Sequence, residues 1–215
     1  MEIMWLGGGC FRLRGRDAAV VTDPFTSSIT QKSAFPKADI VTLSRLPGGN
    51  LAEGGVRPNH EDRKPFVIEG PGEYEVAGVH VRSTEHHTLP SARRATIYAI
   101  DIDGLTVGYV PPLAAEPTDA MLDELGTVHV LLADTAGDDS GLDAAGLLHL
   151  ITRVEPNIVV PFSSGELAGG TAQSRWERVL RELSGAPVGA EASLTVSRQS
   201  LPEPVTVKAL SARAK

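Results

Sequence analysis

Short apolar runs separated by turn residues fill the first half of this chain, and apolar residues at helical spacing appear in the second. Glu2–Leu6, Phe11–Leu13 and Ala18–Thr22 predict strands, the last two joined by the turn-forming Arg14-Gly15-Arg16-Asp17. Asp39–Ser44, with Ile40 and Val41, predicts another strand. Breaker chemistry follows in Arg45-Leu46-Pro47-Gly48-Gly49-Asn50, and polar residues run on to Lys64, which predicts a loop. Strand pattern resumes at Phe66–Glu69. Tyr74–Val76 and Val79–Ser83 predict a hairpin about Ala77-Gly78, and Ala95–Asp101 and Leu105–Val110 a second one about Asp103-Gly104.

Helices enter later. Thr118–Leu125 reads as a helix started at Pro117 or Thr118, and Asp143–Val154 places Leu147, Leu150, Ile151 and Val154 on one face before Pro156 ends it. Ala172–Leu183 is a third amphipathic segment, with Gly185 as its stop. Val128–Ala133, Asn157–Pro161, Ser193–Ser197 and Val205–Leu210 predict strands. Strands first, then strand–helix alternation, imply two sheets packed face to face with helices outside.

Composition narrows the class. The chain has 215 residues, 41% hydrophobic and 22% charged, enough for a sizeable core. No apolar run reaches the ~18 residues of a membrane span, and the start, MEIMWLGGGCF, lacks signal-peptide pattern. One cysteine, Cys10, rules out an internal disulfide and fits a cytoplasmic protein. A net charge of −7 with scattered basic residues argues against nucleic acid as partner.

Several segments together resemble the small hydrolase-like branch of the metallo-β-lactamase superfamily found in bacteria and archaea. Those segments are Ile3-Met4-Trp5-Leu6-Gly7 with Cys10-Phe11-Arg12, Val21-Thr22-Asp23-Pro24-Phe25, Ala38–Ser44, Gly70-Pro71-Gly72-Glu73-Tyr74-Glu75-Val76 with Gly78-Val79, and Thr96-Ile97-Tyr98 with Asp103-Gly104-Leu105. Asp119 to Gly126, Glu155 to Pro161 and Leu194 to Leu210 extend the likeness over nearly the whole chain. The resemblance implies one α/β domain over 1–215, a four-layer αββα sandwich. It also implies a metal loop, His-x-His-x-Asp-His, directly after the strand that ends at Ser44. In that family the metal supplies hydroxide at neutral pH.

At the matching positions this chain carries Arg45, Leu46, Pro47, Gly48, Gly49 and Asn50. Pro112 stands where the bridging aspartate would be, Ser163 where the last histidine would be, and Gly8 where many relatives carry another. Histidine occurs only at 60, 80, 86, 87, 129 and 149, so no shift of alignment restores the ligand set. The Glu85-His86-His87 stretch alone keeps histidine where relatives often have it. The expectation is therefore a pseudoenzyme, with no cofactor. Its cleft would accept a small anion through Arg45 and the open amides of Gly48 and Gly49, with His86, His87, Ser163 and Asp23 as further cleft residues.

Two other readings stand beside it. One is a divergent hydrolase of phosphodiesters or lactones, using zinc at a non-standard site built on His86 and His87 or metal-free chemistry. The other is an assembly protein that binds a protein partner or forms a homo-oligomer. Individual residues also carry plainer expectations. Asp23 ties a turn near the cleft, Gly7-Gly8-Gly9 serves tight strand packing, Cys10 is buried and inert, His129 is a hydrogen-bonded core residue, and His60, His80 and His149 face solvent.

Overall fold

A computed structural model describes residues 1–25, 35–45, 55–88, 93–113, 115–135, 142–163, 178 and 180–212, with the backbone alone at 87–88 and 93–94. In chain order the strands begin with β1 (Glu2–Gly7), β2 (Cys10–Arg14), β3 (Ala19–Thr22), β4 (Lys37–Ala38), β5 (Ile40–Thr42), β6 (Arg57–Pro58), β7 (Phe66–Ile68) and β8 (Gly72–Val76). They continue with β9 (Val79–Thr88), β10 (Arg93–Ile102), β11 (Leu105–Val110), β12 (Val130–Asp134), β13 (Ile158–Phe162), β14 (Ala190–Glu191), β15 (Leu194–Thr195), β16 (Thr206–Val207) and β17 (Ala209–Leu210). Helix α1 (Asp119–Leu125) precedes β12, and α2 (Ala144–Val154) precedes β13.

Two large sheets result, in the orders β15-β1-β2-β3-β5-β7 and β16-β13-β12-β11-β10-β9-β8. Antiparallel hairpins build one half of each sheet, and parallel strands β3, β5 and β7, or β11, β12, β13 and β16, build the other. Alternation along each strand decides what lies between them. Ile3, Trp5, Phe11, Leu13, Val20 and Ile40 of the first sheet meet Tyr98, Ile100, Val107, Tyr109, Leu132 and Phe162 of the second, all buried. The other face of the second sheet, through Ala95, Ile97, Ala99, Leu131 and Ala133, packs on Leu125, Leu147 and Leu150 of the helices. The layered α/β sandwich expected from the sequence is thus present. Among the described residues, strands β7 and β8 are the open edges of their sheets on the side joined by Gly70-Pro71, where Phe66 and Val67 are exposed.

Local chemistry explains the element ends. Thr118 caps α1 through its side chain, and Asp143, predicted inside the second helix, instead caps it by accepting from the N–H of Gly146. That helix ends at Glu155 in the left-handed region, φ 49°, one residue before Pro156. The hairpin strand after Ala77-Gly78 runs on to Thr88 rather than stopping at Ser83, because β10 pairs with it as far as Arg93. Of the third predicted helix, residues 172–177 lie outside the described residues, and 180–184 are helical. No helix among the described residues is long and apolar enough to cross a membrane.

His129 sits just before β12, buried, and its Nδ1 accepts the N–H of Thr106 at 2.9 Å. Burial, and secondarily the cation of Arg198, lower its pKa. The native state therefore takes up this proton less readily than the unfolded chain. The resulting stability is complete above about pH 6.5, the unfolded value, and drains away as pH falls from there through the folded value. The urea midpoint is expected to fall between pH 7 and pH 5, and to fall less in His129→Gln. Parallel pH profiles for the two proteins would refute this.

Candidate functional site

Parallel and doubly antiparallel pairs share a direction, so β1, β3 and β5 exit together in the first sheet and β9, β11, β12 and β13 in the second, and the contact of Tyr109 at the end of β11 with Asp23 just beyond β3 puts both sets of exits at one end of the sandwich. Side chains just beyond those ends are the natural place for a site in layered α/β folds. At the exit of β3, Asp23 takes a left-handed backbone, φ 39°, which aspartate tolerates better than most residues. Its carboxylate is buried. One oxygen accepts the N–H of Ser44 at 2.7 Å. The other accepts the hydroxyl of Ser44 at 2.5 Å and that of Tyr109 at 2.7 Å.

Ser44 is held from a further side, since its carbonyl accepts the N–H of Thr96 at 2.7 Å. The Tyr109 hydroxyl also lies 3.1 Å from the carbonyl of Gly9. A Cβ at Gly9 would stand 2.6 Å from that hydroxyl and 3.2 Å from Asp23 Oδ2, so this glycine is required by close approach. The expected tight packing of the triple glycine therefore has its cause in Tyr109. A second hydroxyl crosses between the sheets where Tyr98 donates to the carbonyl of Leu43 at 2.7 Å.

Burial governs the electrostatics. Desolvation raises the pKa of Asp23. The hydrogen bonds from Ser44 and Tyr109, and then the nearby Arg45 cation, work against that rise. Desolvation and then the Asp23 carboxylate push Tyr109 well above the usual phenol, and the same two causes push up the Cys10 thiol. Cys10 is thus buried and protonated at neutral pH, as expected of an inert thiol. Asp134, buried at the end of β12, is a further charge that raises Tyr109.

The sequence-predicted residues separate. Asp23 and Arg45 come together at the first sheet's exits, and Ser163, buried, follows β13 at the second sheet's exits. Gly48 and Gly49 lie outside the described residues. His86 pairs with Ala95, whose side chain belongs to the helix-covered face. His86 is buried on that face, with Nε2 3.4 Å from the carbonyl of Glu116. It therefore points away from the space between the sheets. His87 opposes Arg94 in β9, and its side chain is outside the described atoms. The sequence reading missed Tyr109, Ser44 and Asp134. Tyr109 alternates with Val107 and Leu105 on the inward face, a pattern that marks a core residue but not a carboxylate partner.

Zinc is the metal such a fold family uses, and it takes imidazole, thiolate or carboxylate donors. The described residues Asp23 and Arg45 at these exits do not form a zinc ligand pair. Both oxygens of Asp23 already receive hydrogen-bond donors, and Arg45 brings a positive charge to the same place. Among the described residues no group of three or more His, Cys, Asp or Glu side chains could hold a metal ion.

Comparison with curated proteins gives no match. Among solved structures, a candidate Zn-dependent hydrolase of the metallo-β-lactamase superfamily from Thermotoga maritima superposes with TM-score 0.76 at 22% identity, over 98% of this chain and 99% of that one. The metallo-β-lactamase fold protein YhfI from Bacillus subtilis gives 0.63 at 10% identity, over 98% and 97%. A metallo hydrolase from the archaeon Ignicoccus hospitalis gives 0.63 at 17% identity, over 91% and 99%. These likenesses establish the fold. The family model described as the beta-lactamase superfamily domain matches residues 2–163, most of the chain, which therefore belongs to the beta-lactamase superfamily and carries its metallo-β-lactamase fold.

Proposed function

We propose that this protein is a metallo-β-lactamase-fold pseudoenzyme, a metal-free binding protein whose strand-exit cleft accepts a small anion. The observation that carries the reading is the arrangement around Ser44. Asp23 and Thr96 fix that residue on both its N–H and its carbonyl, so the chain delivers Arg45 to the exit of β5 on a rigid stem. A guanidinium offers a planar fork that suits a carboxylate or phosphate. It opposes a divalent cation at the position where the family's metal loop begins. Asp23 acts in this reading as a positioning residue, its oxygens satisfied within the chain. The zinc-hydrolase alternative would need His86, which faces the helices. A cytoplasmic place and a capacity to self-associate belong to the same proposal.

The test is calorimetric titration with acetate, succinate and inorganic phosphate, alongside metal content per chain by mass spectrometry. Arg45→Ala is expected to weaken the anion bound by the wild type at least tenfold, with metal far below one equivalent. Unchanged binding by the variant, or a stoichiometric metal retained through dialysis, would overturn the proposal.

A further inference from the structure

The margins of the two sheets meet at β7 and β8. Phe66 of β7 and Tyr74 of β8 face each other there, with ring centroids 6.4 Å apart and planes tilted by 55°. Tyr74 and Val76 pack against the core between the sheets, yet Phe66 is 47% exposed and Val67 beside it 42%. An aromatic ring left half in water at the margin of a core is apolar area that a partner can cover.

Strand geometry decides what such a partner must look like. The hairpin joining β8 to β9 turns through Ala77 and Gly78, both with positive φ, 51° and 74°. A two-residue turn of this kind closes on a hydrogen-bonded pair, here Val76 and Val79. Bonded and non-bonded pairs alternate along an antiparallel ladder, so Glu73 and Glu75 direct their N–H and C=O groups away from β9. Among the described residues no strand pairs with that side of β8. Side chains alternate as well. Tyr74 and Val76 point to the core, while Glu73 and Glu75 stand exposed on the opposite face. Cross-strand neighbours do not neutralise this pair of acids. Arg82, opposite Glu73, is turned to Asp101 at 3.2 Å, and Glu73 has no ion pair among the described residues. Glu75 has the exposed His80 at 3.2 Å. Glu69, just beyond β7, adds a third exposed carboxylate.

The geometry points to β8 as the docking edge for an extended segment of a partner protein in which basic and apolar residues alternate. The backbone of that segment pairs with Glu73 and Glu75. Its apolar side chains continue the inner face and cover Phe66 and Tyr74, and its Lys or Arg side chains fall on the face of the two glutamates. A segment with acids at those positions would set like charges opposite each other. None of these residues serves the anion-binding reading of the strand-exit cleft, which holds or fails independently.

A labelled eight-residue peptide of alternating lysine and valine is titrated against the full chain by fluorescence anisotropy. Two companion probes are the same peptide methylated at every backbone nitrogen, which leaves it no donor for β8, and a peptide of alternating glutamate and valine. The lysine peptide is expected to bind the wild type about tenfold tighter than the glutamate peptide, and methylation to abolish binding. Glu73→Lys with Glu75→Lys is expected to reverse the preference between the two charged peptides, and Phe66→Ala to weaken the lysine peptide about threefold. Absence of binding by the lysine peptide overturns the proposal, as does equal binding of its methylated form or a preference unmoved in the double variant. Light scattering that shows wild-type dimers lost in Phe66→Ala overturns it too, because a second copy then occupies the edge. If the double variant fails to fold, the methylated and unmethylated peptides on the wild type decide.

Discussion

Asp23→Ala is expected to lose about 3 kcal/mol of stability, because each buried donor left without its acceptor costs about 1–3 kcal/mol. Three donors are stranded at once: the N–H of Ser44, its hydroxyl and the hydroxyl of Tyr109. Asp23→Asn separates charge from shape. Its amide carries two N–H groups into a place that already holds donors, so it does not restore the wild type. The pH dependence has a fixed sign. The folded pKa of Asp23 is raised, so the native state holds this proton more readily than the unfolded chain. The desolvation penalty is complete above the folded value and disappears as pH falls through it towards about 3.9. Urea unfolding of wild type and Asp23→Asn should show the wild-type advantage shrinking as pH rises from 4 to 7. A constant difference would show that Asp23 does not carry this penalty, and an Asp23→Ala loss under 1 kcal/mol would show that the hydrogen bonds are not structural.

Phe162→Ala is expected to cost about 4 kcal/mol, the range for a buried aromatic truncated in a packed core. Its ring is wholly buried between the sheets, edge-on to Phe11 at 5.0 Å and stacked with Tyr109 at 5.7 Å. Losing it would loosen the wall behind both the Tyr109 hydroxyl and Ser163, so anion binding at the cleft should weaken together with stability. Phe162→Leu keeps most of the volume and should lose about 1.5 kcal/mol or less. Urea midpoints decide. Equal losses for Leu and Ala would mean that ring packing, and not volume, sets the energy here.

The fold was legible because its signals are local and repeated. Alternation along β1, β2 and β11 and the turn residues between hairpins each act within a few residues, whereas Asp143, read as helical, is instead the cap before α2. The candidate site was legible only in part. Arg45 could be placed because it directly follows a recognisable strand. The role of Tyr109 depends on an oxygen of Asp23, 86 positions away in the chain, and no local pattern encodes that meeting. His86 shows the opposite failure. A strand places neighbours on opposite faces, so adjacency to His87 could not say which of the two would look inward. Pairing with Ala95 put His86 against the helices.

The two open edges, finally, bear on how the protein behaves when concentrated. An edge strand with free backbone groups invites another chain to add on and aggregate. Here β7 is only Phe66–Ile68, with Pro65 just before it and Pro71 just before β8, and β8 presents the exposed charges of Glu73 and Glu75. A proline cannot donate to an added strand, and two rows of carboxylates repel when copies align. The molecule therefore carries exposed Phe66 and Val67 beside an edge too short and too acidic to seed a growing stack of strands.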